Sequence, residues 1–208
     1  MTHADFRIEE FQIGFWHPFG AHSKESPEEI LKRKEEEIEK NGWTLWSFQH
    51  RAMLDVWCKH LKLAEANRVF IYYSMPNGKE PGGKRECCRS YRYCGEINWR
   101  PMPDKIKVPH SFQDDSKRQE ASAFKVKQIF HPVPGASFKL PPVQWFRKDG
   151  IWCETYDQGR KRGIPTHGEF LIRPGGTTSR RPVGPILELM SPYLAVVGTK
   201  LAEGEASS

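Results

Sequence analysis

From Arg68 onward, the apolar residues of this 208-residue chain fall into short segments, each cut off by glycine, proline or a charged loop. Segments of roughly four to eight residues are too short for stable helices, and aromatic and β-branched residues suit a pleated surface, so they predict strands. "RVFIYYSM" is apolar on both faces and reads as a fully buried strand. "CRSYRYCGEI" is a second strand, and "AFKVKQIF" sets Phe124, Val126 and Phe130 on one face against lysines on the other. "VQWFRKDGIWCETY" reads as a hairpin around Asp149-Gly150, and "GEFLIR" as a further strand. Pro76 to Glu86 and Pro101 to Glu120 are polar and carry glycines, prolines or acids, which predicts loops.

Helical signals gather before that region. Ser26 is an N-cap, Pro27 takes the first helical position, and Glu29 completes a capping box. Lys40, Asn41 and Gly42 supply a basic last turn and a stop. A strand from Phe11 to about His17 precedes this helix. A second helix is predicted from about Arg51 to Ala64, with Met53, Trp57, Leu61 and Ala64 facing inward. The order predicts an α+β fold whose mostly antiparallel, curved sheet forms a barrel flanked by helices. It reads as a single domain over 1–200, with a small, polar tail at 201–208 that frays.

The formal charge of +6 and the pI near 9.1 make an anionic partner an expectation. No apolar stretch approaches a membrane span, and "MTHADFRIEE" carries early acids and no apolar core of a signal peptide. Five cysteines in an irregular pattern (Cys58, Cys87, Cys88, Cys94 and Cys153) read as reduced thiols in a cytoplasmic protein. Neither CxxC nor HExxH occurs, so no zinc and no other metal or cofactor is expected. "GGK" at Gly82-Gly83-Lys84 lacks the first glycine and the Ser/Thr of a phosphate loop.

The stretch "GWTLWSFQHR", Gly42 to Arg51, places two indoles and a phenyl ring directly before three hydrogen-bonding side chains. On a strand, Trp46 and Phe48 share one face, and Trp43 and Leu45 share the other. Two readings follow. In one, both faces are core. In the other, Trp46 and Leu45 are core, while Trp43, Phe48, Gln49 and Arg51 line a cleft, because Gln and Arg are costly to bury without partners.

The order of these motifs resembles the PUA-like superfamily, and within it the EVE type. Phe15-Trp16 stands for the opening strand, Ser26 for the capped helix and Trp43 for the tryptophan after it. Phe48-Gln49-His50-Arg51 matches the "YQAR"-like motif, with Leu54 in the next helix. Val69-Phe70-Ile71-Tyr72-Tyr73-Ser74 is similar to the "VFFYHS" strand, and Gly95-Glu96 and Ala123 to Val126 to later barrel strands. The family's Gly-Asp before that strand is Asn67-Arg68 here. The resemblance spans roughly the first 130 residues. It implies a barrel that holds nucleic acid or a flipped-out modified base in an aromatic cleft; our reading of the chain is that it binds this ligand without transforming it.

On that reading Trp16, Trp43, Phe48, Gln49, Arg51 and Tyr73 form a ligand pocket. Stacking supplies roughly 1–3 kcal/mol per base, and Gln49 and Arg51 meet polar edges. Between Arg147 and Arg181 eight Lys/Arg face four Asp/Glu. Arg160, Lys161 and Arg162 are candidate phosphate contacts there, or a solvated loop. Two other classes stay open. A small hydrolase of nucleosides or amides would use Ser47 or Ser74 near His50, although neither serine sits in a nucleophile elbow. A protein-interaction module would need no small ligand.

Overall fold

The Ser26 hydroxyl accepts from the Glu29 backbone N–H at 3.2 Å, and Glu29 Oε2 accepts from the Ser26 N–H at 2.7 Å. This capping box starts α1 (Pro27–Asn41), and the Gly42 N–H closes it by donating to the Ile38 carbonyl at 2.7 Å. In the computed structural model, the described residues are 11–20, 25–48, 57, 66–73, 87–109, 120–146, 150–155, 170–177 and 181–199. Of the second predicted helix, only Trp57 falls among them; it is helical and buried. The tail at 201–208 lies outside them.

Strands make up the rest: β1 (Ile13–Phe19), β2 (Thr44–Phe48), β3 (Ala66–Tyr73), β4 (Ser90–Tyr93), β5 (Arg100–Pro101), β6 (Glu120–Phe130), β7 (Phe138–Leu140), β8 (Val143–Phe146), β9 (Trp152–Cys153), β10 (Phe170–Pro174), β11 (Arg181–Val183) and β12 (Ile186–Gly198). The predicted "RVFIYY", "CRSYRYCGE" and "AFKVKQIF" strands belong to one sheet, ordered β2-β6-β12-β3-β1-β10-β8-β9. Pairing is antiparallel except between β1 and β3. The path ends at β2 and β9, so among the described residues the sheet is not closed into the predicted barrel. The protein is mostly sheet with one described helix.

Side-chain alternation divides the sheet's two faces. One buries Phe15, Trp46, Phe48, Val69, Phe124, Leu171 and Leu187 in the largest core cluster. The opposite face carries two smaller clusters. Trp16, Phe70, Trp145 and Ile172 form one, joined by Leu140 of β7 and Val183 of β11, which pair as a two-stranded sheet. Leu45, Tyr91, Tyr93, Ala123 and Val197 form the other, with Ile106 and Val108 from the segment after β5.

β12 organises this division. Its first half pairs with β3 and β6, and its second half with β4 and β6. The register breaks between Leu189 and Leu194, and Tyr193 adopts φ 60° inside the bulge. That bulge lets one strand leave β3 and take up β4.

α1 is tied to the sheet by buried charge. Lys34 Nζ donates to Glu37 Oε2 at 2.7 Å, to the Lys107 carbonyl at 2.8 Å and to Thr44 Oγ1 at 3.2 Å. Glu37 also accepts from Arg33 Nη1 and the Lys107 N–H, each at 3.0 Å, and from the Thr44 hydroxyl. Burial pushes the Lys34 ammonium down to about 8, against the pull of Glu37.

Candidate functional site

The aromatic stretch after α1 divides as strand alternation requires. Trp46 is 4% exposed and Leu45 fully buried, on opposite faces. The Trp46 indole N–H donates to His17 Nε2 at 3.0 Å, and its ring packs on Phe19 at 5.1 Å. Phe48 is 2% exposed and stacks on Phe124 at 4.2 Å, with Trp57 at 5.6 Å. Trp43 is half-buried and belongs with Leu45, across the sheet from Phe48.

Trp43 and Phe48 therefore do not line one pocket, because odd and even positions of this segment point to opposite faces. Trp16 is also core: it is 5% exposed and meets Trp145 edge-on at 5.6 Å. Of Tyr73 only the backbone is described. Gln49, Arg51, Arg160, Lys161 and Arg162 lie outside the described residues, as do His50 and Ser74 of the hydrolase reading. Of the predicted pocket, Trp43 remains as a partly open ring.

What gathers beside Trp43 is the hairpin of β4 and β5. Trp43 and Tyr91 lie 5.7 Å apart, and Tyr91 meets Tyr93 edge-on at 5.4 Å. Lys125, projecting from β6 on the same face, holds its ammonium 5.1 Å from the Trp43 ring centre and 4.6 Å from that of Tyr93. It also donates to the Ser191 carbonyl in the β12 bulge at 3.4 Å. The Arg100 guanidinium covers Tyr93 at 4.7 Å.

A second ring–cation pair sits on the hairpin, with Arg92 5.2 Å from the Trp99 ring centre. Arg92 falls between Tyr91 and Tyr93 in β4, so it leaves the strand on the opposite side. Trp99 packs against the largest core cluster and lies over Gly198, where an added Cβ would come within 3.2 Å of the indole.

One residue at the turn holds both guanidinium groups. Glu96 Oε1 accepts from Arg100 Nη2 at 2.7 Å, and the Glu96 carbonyl accepts from Arg92 Nη1 at 2.7 Å. Glu96 Oε2 takes the Tyr93 N–H at 3.1 Å, and the Glu96 N–H donates to the Tyr93 carbonyl at 3.0 Å. Gly95 at φ 87° supplies the left-handed turn position that other residues adopt only with strain. The hairpin thus carries interleaved rings and cations in a pre-arranged geometry.

Burial sets the electrostatics here. It pulls the Lys125 ammonium below the usual lysine range, although Tyr91 and Glu96 counteract it. It raises the Tyr91 phenol, with Tyr93 adding to the rise. Arg100 remains 44% exposed at the side chain, so a flat ligand could reach its outer plane. An open cavity of about 480 Å³ between α1 and residues 104–107 is less suited to a ligand. Its Arg33 and Glu37 are bound to each other and to neighbouring groups.

Compared with protein-family models, curated proteins and solved structures, the chain gives no match.

Sequence reasoning read "CRSYRYCGEI" only as a strand. The signal for the site was the alternation of Tyr91, Arg92 and Tyr93 followed by Trp99-Arg100, a spacing that returns rings and cations to one another across a short turn. Among the described residues no three His, Cys, Asp or Glu gather as metal ligands, and no helix is long and apolar enough to cross a membrane.

The cysteine reading needs correction. Cys94 is disulfide-bonded, so the cysteines are not uniformly reduced and give no argument for a reducing compartment. Cys87 is exposed, whereas Cys88 is buried and its thiol is pushed up to about 12. Alkylation of the native protein at mildly alkaline pH should label Cys87 and spare Cys88, since the thiolate is the reacting species. Peptide mapping that found the two modified equally fast would contradict this arrangement.

Proposed function

We propose that the protein binds nucleic acid, without transforming it, by stacking bases on the rings and guanidinium planes of the β4–β5 hairpin and on Trp43. The observation that carries this reading is the Arg100 guanidinium held by Glu96 over the Tyr93 ring, on the sheet face that also carries Lys125 and Trp43. A guanidinium lying on a ring keeps its other plane and its N–H groups for a base and a phosphate. Aromatic rings interleaved with fixed cations are the arrangement that tolerates any base while tracking a charged backbone. The net charge of +6 favours the same class of partner.

The PUA-like fold of EVE type belongs to this reading. Its support is the order of motifs from Phe15-Trp16 to Ala123-Phe124-Lys125-Val126, together with a mostly antiparallel sheet beside a capped helix. Arg160, Lys161 and Arg162 extend the same proposal as phosphate contacts.

The test is titration of labelled single- and double-stranded DNA and RNA at low and moderate salt. Affinity should fall steeply as salt rises, because phosphate contacts release counterions. Arg100→Ala should weaken binding by about tenfold, the scale of one lost stacking contact. Its melting temperature should stay close to that of the parent, because a half-exposed ion pair such as Arg100 with Glu96 contributes little to stability. Failure to bind all four nucleic acids at low salt would overturn the proposal and favour a protein-interaction module.

A further inference from the structure

The tip of the same hairpin carries a side chain that neither the core nor the stacking surface uses. Ile97 is 88% exposed, the most exposed large hydrophobic side chain among the described residues. Isolated exposed aliphatics are common, and Val133 at 62% and Ile151 at 53% call for no special explanation. Ile97 differs in what surrounds it. It follows Glu96, whose hydrogen bonds fix the turn, and Asn98 beside it is exposed. Between Cys87 and Pro101 there are three arginines (Arg89, Arg92 and Arg100) and a single acid, Glu96.

A β-branched side chain is stiff at χ1, and this one stands on a turn that is already ordered. Holding it out in water therefore leaves little conformational entropy to lose on contact. Proteins that bend duplexes insert such apolar wedges between base steps, and cations beside the wedge hold the flanking phosphates. The hairpin's net positive charge, three arginines against one acid between Cys87 and Pro101, complements that backbone and disfavours a second copy of the same basic hairpin as the occupant.

We propose that Ile97 is an apolar wedge that enters the base stack of a double-stranded nucleic acid gripped by Arg92 and Arg100. This rests on the nucleic-acid reading above and narrows it to a base-paired partner locally unstacked at the point of contact. Asn98 then lies next to the opened step, where its amide can donate to and accept from base edges.

The experiment uses the full chain with DNA and RNA duplexes carrying 2-aminopurine at the central step, whose fluorescence rises on unstacking. The protein should raise the signal of at least one duplex, and the DNA and RNA arms show which helix form is entered. Ile97→Ser should abolish most of that rise and weaken duplex binding by about tenfold, whereas Ile97→Leu should retain both. With the side chain so exposed, both variants should fold as the parent does, which thermal melting would verify.

If the protein binds single strands but leaves duplex fluorescence unchanged, the wedge is wrong and the stacking surface stands. If it binds neither strand form, both proposals fall together. Self-association that disappears in Ile97→Ser would also overturn the wedge, by assigning this side chain to a contact between copies.

Discussion

Replacing Trp46 with alanine should destabilise the protein by ~3–5 kcal/mol, the range for large aromatic truncations in a packed core. The ring is 4% exposed and packs on Phe19 within the largest cluster. Its indole N–H donates to buried His17 Nε2, so truncation removes packing and that donor together. Trp46→Phe should recover part of the loss by restoring packing without the hydrogen bond. Chemical denaturation of the three proteins would measure this. A Trp46→Ala protein as stable as the parent would mean that the ring is not core.

The second large effect is expected at Glu37. Its carboxylate receives Arg33, Lys34, the Thr44 hydroxyl and the Lys107 N–H, and its side chain is 3% exposed. Removing one member of a buried ion pair strands the other, which costs about 3–5 kcal/mol. Glu37→Ala should reach that range because Lys34 is equally buried and keeps only uncharged acceptors, Thr44 Oγ1 and the Lys107 carbonyl. Glu37→Leu combined with Lys34→Met should cost much less than Glu37→Ala alone, since an apolar pair leaves no buried charge unmatched. Denaturant titration of a double-mutant cycle measures the difference. Equal losses in Glu37→Ala and the double variant would mean that the pair contributes shape rather than charge compensation.

These two residues differ in how far they were legible. Trp46 is assignable to the core from its own segment, because a strand with apolar residues on both faces must bury something and strict alternation leaves few choices. Glu37 looked like one acid among many on a polar helix. Its four donors come from α1, from β2 and from Lys107, and nothing local announces that they converge.

The predicted pocket shows the same divide. Trp43, Trp16 and Phe48 were grouped because they are aromatic and near one another along the chain or in motif order. Strand geometry sends Trp43 to one face and Phe48 to the other, and Trp16 is taken up by Trp145 and Phe70 in a separate cluster. The β4–β5 hairpin is not legible locally, because "CRSYRYCGEINWR" reads as an ordinary aromatic strand and loop. Its rings and guanidiniums meet only when Glu96 folds the turn back. β12 is hidden in the sequence for a related reason. Pro192 sits in the middle of it and reads as a break, whereas the bulge between Leu189 and Leu194 absorbs the proline and lets pairing resume.

By itself, the sequence determined the features whose partners lie within a few residues. The capping box of Ser26 and Glu29, the stop at Gly42 and the in–out order of Leu45, Trp46 and Phe48 each depend on local hydrogen bonds or on the two-residue period of a strand. The tertiary structure alone decided which faces met. Leu194 pairs with Phe124, Ala195 with both Ala123 and Tyr93, and Lys125 reaches Trp43, Tyr93 and Ser191. Those contacts join segments far apart in the chain. Their formation depends on the summed burial of both sheet faces against the entropy of closing the intervening loops, and no single segment carries that balance.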